Sequence, residues 1–133
     1  MNAELTALFE AAKAAKARAY APYSRFQVGA AIRAASGRVY AGANVENAAY
    51  PVGTCAEAGA IAAMALAGDR EIAEVMVIGD GPELCTPCGG CRQRLREFCR
   101  NATPVHVAGP EGLRRSFTLG ELLPHSFGPD NLT

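Results

Sequence analysis

Charge of one sign is what this sequence most clearly lacks: thirteen Asp and Glu balance thirteen Lys and Arg over 133 residues. With no net positive field to gather phosphates, a nucleic-acid partner is disfavoured. Also missing is any apolar run near the roughly 20 residues that span a bilayer, and the N-terminal stretch has no secretion-signal core. The expectation is a cytoplasmic protein with no membrane partner. No repeat, linker or low-complexity segment divides the chain, so residues 1–133 are expected to form one domain. Histidine is scarce, at two residues. His106 lies in an apolar segment and reads as a satisfied core residue, whereas His125 reads as a surface or interface residue. Cysteine is neither absent nor paired, since five is an odd number. Three of the five sit where a metal site wants thiolates, so all are read as reduced.

What is present is apolar material, half of all residues, enough for a core that needs no staples. From Asn2, a candidate N-cap, to Tyr20 an alanine-rich stretch carries an apolar helical face with Leu5, Leu8, Phe9, Ala12 and Ala15, ending before Pro22. Alternation over Phe26–Ala34 predicts a strand that Ser36-Gly37 turns into a second one through Val39 and Ala41. A polar, turn-rich passage follows, then a strongly apolar helix over Cys55–Ala67 closed by Gly68 and expected to be buried all round. The β-branched run Val75–Ile78, a helix over Gly89–Arg100 and a strand over Pro104–Ala108 make a parallel βαβ unit. The turn holding Pro110 and Gly112 is too short for another crossover, so the strand near Ser116 runs antiparallel. Leu119–Leu123 adds a short helix. The sum is an α/β fold of three layers, with a mixed five-stranded sheet whose last two strands are antiparallel.

Two helix starts carry the chemistry. Thr54-Cys55-Ala56-Glu57 opens one, and Thr86-Pro87-Cys88-Gly89-Gly90-Cys91 opens the next. If both N-termini point at one spot, first-turn residues converge there even at spacings that would diverge mid-helix. Helix N-termini also favour thiolates, so Cys55, Cys88 and Cys91 suit a borderline cation such as Zn²⁺. Three protein ligands leave a fourth position open, the mark of a catalytic zinc rather than a structural one. Glu57 is then the candidate proton shuttle.

The spacing Cys55-x-Glu57 followed by Pro87-Cys88-x-x-Cys91 matches the signature of zinc deaminases, and the pairing is far more specific than a lone Cys-x-x-Cys. Tyr23-Ser24-x-Phe26-x-Val28-Gly29-Ala30-Ala31, Asn44-Val45-Glu46-Asn47-Ala48-Ala49-Tyr50, Cys88-Gly89-Gly90-Cys91-Arg92-Gln93 and Glu121-Leu122-Leu123-Pro124 extend the match. Over nearly its whole length the chain resembles the small homotetrameric cytidine deaminases of the three-cysteine type. The resemblance implies hydrolysis of cytidine and 2'-deoxycytidine to the uridine products plus ammonia, in pyrimidine salvage. It implies that Asn44 and Glu46 grip the ribose 3'-hydroxyl and that Phe26 packs on the pyrimidine. It further implies that the Ala56 amide meets the base carbonyl and that the Thr86 carbonyl receives the leaving amine. Phe127 matches a residue inserted into a neighbouring subunit's pocket, and Ala48 and Tyr50 are placed near the 5'-hydroxyl across another interface. Active sites would then be shared within a homotetramer, which also excludes polynucleotides.

One position departs from this pattern. Three-cysteine members commonly carry an arginine directly after the glutamate, and here that residue is Ala58. Zinc with three thiolates carries net negative charge, so something must offset it, either the helix dipoles or an inward-turned Arg92. Apart from that option, Arg92, Arg94 and Arg96 read as a solvated face with subunit contacts. Cys85 and Cys99 fit no ligand slot and read as packing residues. Gly29 and Gly42 read as relief of backbone crowding or as shapers of strand ends.

Overall fold

The computed structural model of the protein describes residues 1–133. Its first helix, α1 (Ala3–Ala17), starts where Asn2 Oδ1 accepts the Leu5 N–H at 2.8 Å. It stops short of the expected Tyr20 because that residue leaves the helix for another partner. The Tyr20 N–H donates to the Asn44 carbonyl at 2.9 Å, and its own carbonyl accepts the Glu46 N–H at 2.8 Å.

The strands β1 (Val28–Ala34) and β2 (Val39–Ala43) form the expected hairpin. After them come α2 (Ala56–Ala67), β3 (Ile72–Gly79), α3 (Gly89–Arg96), β4 (Pro104–Gly109), β5 (Gly112–Thr118) and α4 (Leu119–Leu122). One mixed sheet runs β2-β1-β3-β4-β5. As expected, β3 and β4 are parallel and β4 and β5 antiparallel. β1 is antiparallel to β3 as well as to β2.

Alternation decides what each face of the sheet meets. Ala31, Met76, Ile78 and Ala108 pack on Leu8, Phe9 and Ala12 of α1. Ala30, Ile32, Val75, Val77 and Val105 pack on Ala56, Ala60 and Met64 of α2 and Leu95 of α3. The result is the three-layer α/β/α arrangement. Two glycines let helix backbone lie directly on the sheet. A Cβ on Gly29 would stand 2.0 Å from the Ala12 carbonyl oxygen, and one on Gly42 would stand 2.4 Å from the Ala60 nitrogen. Both are crowding positions, as the sequence suggested.

Other expectations are corrected. α3 ends at Arg96 rather than Arg100, because the Phe98 carbonyl turns to accept the Ile72 N–H at 2.9 Å where β3 begins. α2 is not buried all round: Ala56, Ala60 and Met64 pack on the sheet and Glu57 is buried, while Leu66 is 91% exposed. A uniformly apolar helix carries no stripe to say which side faces its own sheet. His106 is buried and satisfied, with Nδ1 at 2.6 Å from Ser116 Oγ and Nε2 at 2.5 Å from Glu74 Oε2.

Candidate metal centre

The two helix starts converge end-on. Cys55 is the N-cap of α2 and Cys88 the N-cap of α3, each in extended backbone, with Cys91 in the first turn of α3. The sulfurs of Cys55 and Cys88 are 3.9 Å apart, and all three cysteine sulfurs lie within 4.8 Å of one another. Thiolates held tetrahedrally at about 2.3 Å from zinc stand about 3.8 Å apart, so the cluster fits that ion. No fourth His, Cys, Asp or Glu joins the cluster, which removes the reading of a closed structural zinc module.

The thiols differ in readiness to ionise. Burial pushes Cys55 and Cys91 above the usual thiol range, and the neighbouring acidic groups push the same way. Cys88 is held below it, chiefly by the Cys91 backbone N–H. Glu57, on the first turn of α2, is only 5% exposed, and burial raises its carboxyl above the ordinary glutamate range. Its own backbone N–H and the Arg94 guanidinium oppose that rise. A carboxyl tuned upward beside an open metal position suits proton exchange near neutral pH.

A cavity of about 280 Å³ opens onto the cluster, lined by Asn44, Glu46, Ala56, Glu57 and Thr86 together with Cys55 and Cys88 of the cluster. Glu46 also borders an adjoining cavity of about 310 Å³ that reaches Tyr23, Asn47 and Tyr50. The segment carrying Asn44 and Glu46 is pinned beside Thr54 by paired bonds, Val45 N–H to the Thr54 carbonyl at 3.0 Å and the reverse at 2.9 Å. Asn44 braces the entry to β1: its Oδ1 accepts the Val28 N–H at 2.9 Å, and its Nδ2 donates to the Phe26 carbonyl at 2.9 Å. Glu46 gathers the 23–24 loop. Its Oε1 accepts the Tyr23 and Ser24 N–H groups at 3.0 and 3.1 Å, and its Oε2 accepts the Ser24 hydroxyl. These bonds, led by those from Ser24, hold the Glu46 carboxyl below its usual range, so it stays ionised.

Phe26 lies beside Cys85, both leaning over Gly79, where a Cβ would stand 3.3 Å from the Phe26 ring and 2.6 Å from the Cys85 sulfur. Cys85 does line the main cavity, beyond its expected packing role; burial pushes its thiol up to about 11, so it keeps its proton at neutral pH. Cys99 is buried as expected. Phe26, Ala48 and Phe127 line neither cavity, and Phe127 is 58% exposed. Among the residues at the site that the sequence did not single out are Ser24 and Cys85. The signals were there: Ser24 sits in the Tyr23-Ser24-x-Phe26 motif and Cys85 three residues before Cys88.

Of the α3 arginines read as a solvated face, Arg94 is exposed, whereas Arg92 and Arg96 are half-buried. Arg92 turns inward but onto oxygen, donating to the carbonyls of Pro87 at 2.7 Å and Leu122 at 2.8 Å and to Thr86 Oγ1 at 3.2 Å. Arg96 donates to Ser126 Oγ at 2.9 Å, while Gln93 holds the Phe127 carbonyl at 2.9 Å. Arg94 reaches the three-cysteine cluster, with Nη1 at 3.6 Å from Cys91 Sγ.

Comparison with known proteins agrees with this geometry. Residues 2–107 match the model of the cytidine and deoxycytidylate deaminase zinc-binding region. A cytidine deaminase of Sporosarcina psychrophila is 38% identical over 126 residues, covering 95% of this chain and 93% of the relative. One from Mycobacterium tuberculosis is 44% identical over 119 residues, covering 89% of this chain and 85% of that one. The crystal structure of cytidine deaminase from Burkholderia pseudomallei superposes with a TM-score of 0.87 at 42% identity, covering 96% of this chain and all of the other.

Proposed function

The chain belongs to the cytidine and deoxycytidylate deaminase family, and from that membership we propose a residue-by-residue account of how it deaminates cytidine. The protein is a zinc-dependent hydrolase that converts cytidine to uridine and ammonia. The observation that carries the account is the three-sulfur cluster at two helix N-termini with the buried Glu57 carboxyl beside it.

Cys55, Cys88 and Cys91 hold the ion. Zinc bound there supplies the Lewis acidity that makes a water nucleophilic near neutral pH. Glu57 takes the proton shed as the water oxygen bonds to C4 and delivers it to ring N3. It then carries the remaining proton of the new C4 hydroxyl to the exocyclic amino group, and as the bond from C4 to that nitrogen breaks, the C4 carbonyl of uridine forms and ammonia leaves. Burial, which raises the Glu57 carboxyl, makes it a better proton acceptor than an exposed glutamate. The Ala56 amide receives the base carbonyl, the Thr86 carbonyl meets the departing amine, and Phe26 packs on the ring.

Asn44 and Glu46 select nucleosides over free bases by binding the ribose 3'-hydroxyl. Asn44 keeps one Oδ1 lone pair and one Nδ2 hydrogen beyond its two backbone bonds, enough to serve a hydroxyl. 2'-Deoxycytidine shares the 3'-hydroxyl and is the second substrate. Ala48 and Tyr50 border the 5'-hydroxyl, and Phe127 enters a neighbouring subunit's pocket, in a homotetramer whose sites are shared. The outward apolar side of α2, with Leu66 exposed, supports such an assembly. We place the single 1–133 domain in the cytoplasm, in pyrimidine salvage, acting on small nucleosides rather than nucleic acid.

The test is the fall in ultraviolet absorbance when purified protein meets cytidine, 2'-deoxycytidine or free cytosine, with ammonia measured in parallel. Turnover of both nucleosides with cytosine untouched is expected. Untouched cytidine would contradict the account, and equal turnover of cytosine would remove Asn44 and Glu46 from substrate selection.

A further inference from the structure

Two positive charges on zinc against three thiolates leave the cluster net negative, and the Glu57 carboxyl shares its cavity. Cys88 lies at the surface but Cys91 is fully buried, and excess negative charge at a buried sulfur is costly unless a cation lies close. The first turn of α2 offers none, with Ala58 following Glu57. Arg92, beside Cys91 in sequence, spends its donors on Pro87, Thr86 and Leu122 oxygens. Arg94 stands three residues beyond Cys91 on α3, the spacing that puts both on one helical face. Its Nη1 lies 3.6 Å from Cys91 Sγ, and it makes no ion pair with any carboxylate. The guanidinium runs close over Gly90, where a Cβ would sit 3.0 Å from that nitrogen, so the absence of a side chain there leaves its path clear.

We propose that Arg94 is a positioning residue for the metal centre, supplying through its N–H···S contact with Cys91 the positive charge that the three-thiolate site needs. It acts on the ion only through sulfur. A cation against a thiolate stabilises the sulfur lone pairs, so the sulfur gives less charge to the metal and the metal stays a stronger Lewis acid. This rests on the three-cysteine zinc reading above.

The test exchanges zinc for cobalt(II) and reads the thiolate-to-cobalt charge-transfer absorption in the unsubstituted protein, Arg94→Gln and Arg94→Lys, with cytidine kinetics on the zinc forms. Arg94→Gln should move the band to longer wavelength and lower kcat by about 10- to 100-fold with KM unchanged. Arg94→Lys should return the band toward its original position and recover most of kcat. A band or a kcat that does not change in Arg94→Gln overturns the proposal, as does a lysine variant no better than the glutamine one. A thiolate band missing from the unsubstituted protein would instead overturn the ligand set, and this proposal with it.

Discussion

Two cysteines three positions apart have opposite fates here. Cys88 caps a helix and leans toward thiolate, whereas Cys85 is pushed up to about 11 by burial and remains a thiol. Metal analysis should therefore find Cys88→Ala depleted of zinc and Cys85→Ala with its full complement; the reverse pattern would reassign the ligands. Because burial raises the thiols of Cys55 and Cys91, zinc uptake must displace protons. Chelator competition should show affinity falling as pH drops below neutral. Glu74 gives a separate pH effect on stability. Burial alone would raise its carboxyl, but hydrogen bonds from Arg33 and His106 outweigh that and leave it below its ordinary 4.5. A depressed carboxyl stabilises the fold above its unfolded value, and that contribution is lost as pH falls through the folded value. Glu74→Gln should thus lower Tm near pH 7 and lose most of its effect at pH values well below 4.5. A pH-independent difference in thermal melts would contradict this.

At the scale of elements, α2 matters most because it carries Cys55 and Glu57 together, and Gly42 sets how closely it lies on β2. Backbone atoms of Ala56 and Ala60 occupy the space a Cβ would need and have little freedom to give way. Gly42→Ala should cost about 1–3 kcal/mol in thermal or urea unfolding and reduce turnover by displacing the first turn of α2. Unchanged stability and rate would show the helix free to shift. The order of elements, the hairpin, the parallel β3–β4 pair and the convergent helix starts were all legible in the sequence, because period, turn residues and caps are local signals. The ends of α1 and α3 were not, since Tyr20 and Phe98 leave their helices for hydrogen bonds with distant segments. Nor was the reach of Arg94, because a long side chain on an exposed turn takes its direction from neighbours that spacing does not reveal. Asn44 and Glu46 were legible as candidates, but their bracing of the Phe26 and Ser24 backbone was visible only once the loops came together.

For the whole molecule, the chain leaves Leu66 and Phe127 exposed on surfaces its own sheet does not cover. On the shared-site account, Phe127→Ala should raise KM for cytidine by roughly tenfold, equivalent to about 1.4 kcal/mol, while leaving Tm nearly unchanged. A fallen Tm with unchanged KM would make Phe127 a packing residue only. The claim on which everything else depends is that metal binding and proton transfer are divided between three cysteines and one glutamate. It is tested most directly by measuring zinc content and cytidine turnover on one preparation of Glu57→Gln. The account predicts zinc retained at the level of the unsubstituted protein with turnover abolished; retained turnover, or zinc lost along with it, would contradict that division of roles.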